Sequence, residues 1–166
     1  MFYLFTSDLH SRKTHYEELY NLYRSNKFDA IIIGGDLFKY THDKNEQLRF
    51  INDYLRDFLS LISIPIIILP GNADWPVSMR KLEKLEIANV KVISHKKYIN
   101  LNGIKHIGYE YVTPHPFSQK HRTKRDLRKD DFIIDTESYT TDDQGNVIKV
   151  YEEYAVKQDI KNKQVN

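Results

Sequence analysis

Three short apolar runs, each broken off by a polar turn, set the strongest limit on how this chain can fold. They are "FYLFTSD" (Phe2 to Asp8), "AIIIGGD" (Ala30 to Asp36) and "PIIILPGN" (Pro65 to Asn72). A continuous β-branched run such as Ala30 to Ile33 suits a strand covered on both faces, and Gly34-Gly35 stops it. Between the runs the apolar spacing changes from strand to helix. Tyr16, Leu19, Tyr20 and Tyr23 recur at helical intervals, as do Leu48, Ile51, Leu55, Phe58, Leu59 and Ile62 within a segment from about Asn45 to Ile62. A third helix is expected from Val77 to Ala88. Short strands are expected around Val90 to Ile93 and Tyr98 to Leu101, the latter entering a hairpin through Asn102-Gly103 and "IKHIGYE". Two more β-prone runs flank "DDQGN". The alternation predicts an α/β domain whose sheet is mainly parallel and becomes antiparallel after Asn89.

The value of this pattern is positional. Asp8 and His10, then Asp36, then Asn72 and Asp74 each fall just past the carboxyl end of a predicted strand, the edge at which open α/β sheets bind ligands. Asp8 and His10, one residue apart in a loop, can turn an oxygen and a nitrogen toward one cation; Asp8 could equally cap a helix. Asp36 follows two glycines that let backbone approach an ion or phosphate, and a carboxylate there can bridge two metals; a plain turn reads the same way. Asn72 offers a neutral carbonyl oxygen, although Pro-Gly-Asn is also ordinary turn chemistry.

Composition narrows the chemistry further. With no cysteine in 166 residues, a disulfide framework and a thiolate metal site are excluded, so a metal would be held by oxygen and imidazole nitrogen. A reducing, cytoplasmic setting is expected. The N-terminus lacks the pattern of a signal peptide, and no stretch approaches the length of a membrane span. A formal net charge of +2 is too small to argue for nucleic acid.

Taken in order, "DLH", "GGDL" and "GNAD" resemble the first three motifs of the calcineurin-like metallophosphoesterases: DxH, GD, and GNH followed by an acid. The resemblance covers residues 2 to about 117, and "IGYEYVTPHPF" (Ile107 to Phe117) is similar to a bacterial and archaeal branch of single-domain members. It implies an α/β/β/α sandwich holding two divalent ions (Mn, Fe, Ni, Zn or Mg) that activate water for attack on phosphorus. Asp8 and His10 would bind the first ion, Asp36 would bridge, and Asn72 would bind the second; Asn72 and Asp74 would stand at the catalytic centre. A phosphodiesterase or phosphatase acting on a phosphoester substrate is the implied function.

Two departures from the family pattern stand out. Ala73 occupies the position of a histidine that protonates the leaving group, a loss that typically costs roughly 10² to 10⁴ in rate. Such a site favours good leaving groups, and Ala73→His is expected to help poor ones. The family's later GH and GHxH motifs, which complete the second ion's ligands, are missing from the sequence. On this basis residues 1–154 are expected to form a truncated metallophosphoesterase-like domain and residues 155–166 a polar tail. His115, between two prolines, could reach the site; His106, alternating within a strand, reads as structural; His42 and His95 have weaker claims, and turnover that depends on His115 or His121 would show either completing the site. The alternative function is an incomplete, non-catalytic binding module that needs a second copy or a partner chain to supply the missing half. The basic segment Lys120 to Lys129 could contact nucleic acid, but its interleaved acids fit a solvated loop better, and the tyrosine stripe Tyr16, Tyr20, Tyr23 fits core packing.

Overall fold

A computed structural model describes residues 1–94, 97–112, 115–123, 137–142 and 144–150. Its centre is a sheet of four parallel strands in the order β1 (Tyr3–Thr6), β2 (Ala30–Ile33), β3 (Ile66–Ile68), β4 (Val90–Val92). The register sets Ile31 beside Ile66 and Ile33 beside Ile68, so these four side chains share one face and enter the same core. The helices cover that face: α1 (Lys13–Ser25), α2 (Lys44–Phe50), α3 (Arg56–Ser60) and α4 (Pro76–Glu83).

Between α2 and α3 the helix widens into a π turn, Ile51–Leu55, without leaving its path. Ile51, Leu55, Phe58 and Leu59 carry the buried stripe through it, and each fully buried aliphatic side chain contributes roughly 2 kcal/mol. Tyr16 is fully buried and makes edge contacts with Phe58 and Tyr54, while Tyr20 and Tyr23 pack partly against the same cluster. The tyrosine stripe is core.

The switch to antiparallel pairing comes later than expected. Val90–Val92 still runs parallel to β3, because α4 acts as a crossover and returns the chain in the same direction. Antiparallel pairing begins with two separate hairpins, β5 (Tyr98–Leu101) with β6 (Ile104–Ile107) and β7 (Ser138–Thr141) with β8 (Val147–Val150). His106 is structural, its Nε2 lying 2.9 Å from the Tyr3 hydroxyl. Helix α4 ends at Glu83, short of Ala88, and a turn from Ile87 to Val90 brings Leu85, Ile87 and Val90 back against the core. His95 and the expected polar tail, 155–166, lie outside the described residues. Among the described residues no helix is long and apolar enough to cross a membrane.

Candidate metal centre

The loops leaving β1 and β2 are bonded to each other past the ends of their strands. Asp8 N–H donates to Gly35 O (3.1 Å), His10 N–H to Asp36 O (2.9 Å) and Ser11 N–H to Leu37 O (2.8 Å). This extension fixes Asp8 and His10 relative to Asp36. It also demands unusual backbone: Asp8, His10, Ser11 and Asp36 all have φ between 47° and 59°, in the left-handed region that costs a non-glycine residue of the order of 1 kcal/mol. Four strained residues within two loops mark the place where the fold gives up local stability for geometry.

The loop leaving β3 closes from the other side. Ala73 N–H donates to Asp36 Oδ1 at 2.8 Å. Gly71 lies so close to Asp36 that a Cβ on it would sit 2.1 Å from Oδ1, and Gly35, at φ +111°, would put a Cβ 2.8 Å from Gly71 Cα. Gly35 and Gly71 let the two loops touch.

The outcome is one point at which ligand atoms from Asp8, His10 and Asp36 all lie within 4.8 Å of one another. His10 Nε2 is 3.7 Å from Asp8 Oδ1, and its Nδ1 lies 3.3 Å from Phe38 O. With Nδ1–H donating to that carbonyl, the Nε2 lone pair faces the carboxylates, the arrangement found where histidine binds a metal. Burial pushes the Asp36 carboxyl above its usual pKa, with the Ala73 amide only partly offsetting it. Two carboxylates and an imidazole, one carboxylate partly desolvated, are chemistry that a divalent cation satisfies. The donor set therefore fits the implied ion.

Asn72 is half-buried between Gly71 and Ala73, the two residues in contact with Asp36, and its side chain has no hydrogen-bond partner among the described residues. Asp74, the other residue expected at the catalytic centre, lies in the same loop. It is fully buried, and its oxygens accept the Phe38 and Gly71 amides at 2.9 and 2.8 Å. Burial raises its pKa to about 6. Its geometry is that of a clamp between the β2 and β3 loops. Ala73 is also fully buried, so Ala73→His, expected from the sequence to supply an acid, would have to force an imidazole into packed space at a cost of about 1–3 kcal/mol.

A model of the calcineurin-like phosphoesterase family matches residues 1–159. The chain belongs to the calcineurin-like phosphoesterases. No curated protein matches it significantly. Membership of this metal-dependent phosphoesterase family, the mixed α/β fold with its parallel sheet, and a candidate metal-ligand group agree with one another.

In this family member two supporting residues escape a sequence reading. Gln47 is buried; its Nε2 donates to Ala73 O (2.7 Å) and Lys39 O (3.1 Å), and its Oε1 accepts the Trp75 amide (3.0 Å). The signal was present, because Gln47 continues the buried stripe of Ile51 and Leu55 at four-residue spacing. Arg122 is the second. Buried and paired with Glu110 (2.9 Å), it donates to Gly71 O (3.0 Å) and to Asp74 O. Lys120 and Arg122 thus contradict the expectation of a solvated loop, while 124–130 lie outside the described residues.

His115 and His121 do not join the metal group. His115 Nε2 lies 3.1 Å from Thr123 Oγ1, and His121 packs on Trp75 at 4.8 Å with Nε2 at 2.9 Å from Asp74 O. His42 stacks on Tyr139 at 3.9 Å. Burial lowers the His115 pKa to about 4 and holds His121 well below the usual range. A histidine whose folded pKa is depressed stabilises the fold above its unfolded pKa, near 6.5, and loses that contribution as pH falls toward the folded value. In thermal melts from pH 7 to pH 5 each such histidine should therefore lower stability by at most about 1.4 kcal/mol per pH unit, opposed by Asp74, whose raised pKa of about 6 makes the fold gain stability as pH falls through it. His115→Gln should flatten the slope; an unchanged slope would mean that His115 protonates freely in the folded chain.

Proposed function

We propose that this chain hydrolyses phosphoesters with divalent ions held by Asp8, His10, Asp36 and Asn72. The observation that carries this is the convergence of the Asp8, His10 and Asp36 donor atoms within 4.8 Å at the carboxyl ends of parallel strands. When bound there, divalent cations supply Lewis-acid polarisation of a phosphoryl group and a lowered pKa for water. The protein's own part is positional. Phe38 O holds the His10 tautomer, and the Ala73 amide takes one lone pair of Asp36 Oδ1, steering that carboxylate. Asn72, half-buried beside Ala73, would offer its amide oxygen to a second ion together with Asp36, and with only these two ligands that ion would bind more weakly than the first.

The methyl of Ala73 donates no proton, so this site would act best on esters whose leaving group departs without protonation, aryl phosphodiesters among them. Purified protein assayed on bis(p-nitrophenyl) phosphate should show hydrolysis stimulated by Mn²⁺ and removed by EDTA. Absence of turnover while calorimetry reports bound Mn²⁺ would favour the second reading, a binding module that keeps the metal group; the two family ligands available to a second ion are what support it.

A further inference from the structure

We propose that the cleft beside His10 binds the leaving-group end of the substrate and takes a flat ring that carries an anionic group. The proposal rests on the phosphoesterase reading above and names what that site would act on. The cleft has a volume of about 690 Å³, inside the range of small-molecule sites, roughly 300–1,000 Å³. His10 and Ser11 are among its lining residues, so it adjoins the metal group, and α2 and the π turn contribute Glu46, Phe50, Asp53 and Tyr54.

Its charges are not equivalent. Lys39 is neutralised by Glu46 at 2.8 Å, and Lys13 Nζ lies over the Tyr54 ring at 4.9 Å. Arg12 makes no ion pair among the described residues. It immediately precedes α1, whose first turn holds no acidic residue and receives no side-chain cap, so free amides add their positive potential to the guanidinium. An anion entering the cleft meets both.

The apolar part of the lining is aromatic: Tyr40, Phe50 and Tyr54. Asp53, which makes no ion pair among the described residues, offers an acceptor for an amine or a hydroxyl. Asp53 and Tyr54 belong to the π turn. A helix that widens where its side chains line a cleft is a feature associated with binding sites, whereas cations on a merely solvated surface require no such distortion. A ring, hydroxyls and an anionic group are combined in nucleotides, which makes 5′-AMP a suitable probe.

The full chain would be titrated by calorimetry, in EDTA, with 5′-AMP, adenosine and inorganic phosphate. AMP should bind about tenfold more tightly than either other probe, the effect of one charge-assisted contact added to ring packing. Arg12→Ala should bring AMP close to adenosine. Tyr54→Leu, verified by its melt, should weaken AMP and adenosine together; Arg12, being exposed, decides the matter should Tyr54→Leu fail to fold. AMP binding no tighter than adenosine or phosphate, or indifferent to Arg12→Ala, would overturn the proposal. Because EDTA removes the ions, AMP binding without any Mn²⁺-stimulated hydrolysis would support the cleft and sink the proposed function, and hydrolysis without AMP binding would do the reverse.

Discussion

Asp36→Asn should abolish the response of this protein to Mn²⁺ while leaving the metal-free fold at least as stable as before. Asparagine keeps the oxygen that accepts the Ala73 amide at 2.8 Å, so the loops retain their bond. What it removes is the charge. In the metal-free chain that charge is partly desolvated and has no cationic partner at hydrogen-bond distance among the described residues, so its loss should leave the fold no less stable. In the wild type, Mn²⁺ at one hundred times its dissociation constant should add about 2.7 kcal/mol to stability, and in Asp36→Asn nearly nothing. Melting curves with and without Mn²⁺, together with calorimetry, test both halves. A mutant that binds Mn²⁺ as the wild type does would remove the metal assignment, and one that loses stability without metal would make Asp36 a structural residue.

Gly71→Ala is expected to be the most damaging single methyl in the chain. The new carbon would stand 2.1 Å from Asp36 Oδ1 and 2.2 Å from Asp36 N. A carboxylate can rotate away, but a backbone nitrogen cannot, so the two loops must part. Parting them breaks the Ala73–Asp36 and Phe38–Asp74 bonds, each worth about 1 kcal/mol, on top of the strain. A loss of roughly 3–5 kcal/mol should lower the melting temperature by about 10–15 °C and erase Mn²⁺ binding. Gly103→Ala separates proximity from backbone strain. Gly103 sits at φ +82° with open space where a Cβ would go, and its replacement should cost only about 1 kcal/mol. Equal losses from the two substitutions would show that closeness to Asp36 is not what requires glycine at position 71.

The β-branched runs at Ala30–Ile33 and Ile66–Ile68 and the helical spacing of Tyr16 and Ile51 announced the parallel sheet and its cover, because hydrophobic periodicity is a local property. The loop ends that carry Asp8, His10 and Asp36 were legible for the same reason. Other features depend on residues far apart in the chain, and no local pattern reports them. Lys120 and Arg122 sit in a run of charges that looks solvated until Glu110 and the Gly71 and Asp74 carbonyls are seen beside Arg122. The end of α4 at Glu83 was hidden because Leu85 and Ile87 reach the core only once the helix has stopped. Asp74 is placed at the catalytic centre by the motif that holds it, but that its two oxygens accept amides from two different loops is visible only in the fold.

The amide bonds that run on past the ends of β1 and β2 bear on which ion the triad prefers. His10 is tied to Asp36 through its own amide and, through its ring, to the carbonyl of Phe38, so imidazole and carboxylate shift together as one rigid jaw. Such a jaw cannot open for a larger cation by moving one donor at a time. Calcium, which favours six to eight oxygens in a yielding cage, would find three fixed donors and a nitrogen among them, whereas compact transition ions that accept imidazole would meet contacts already set for them. Selection among ions would then come from stiffness in the backbone rather than from the ligand atoms themselves.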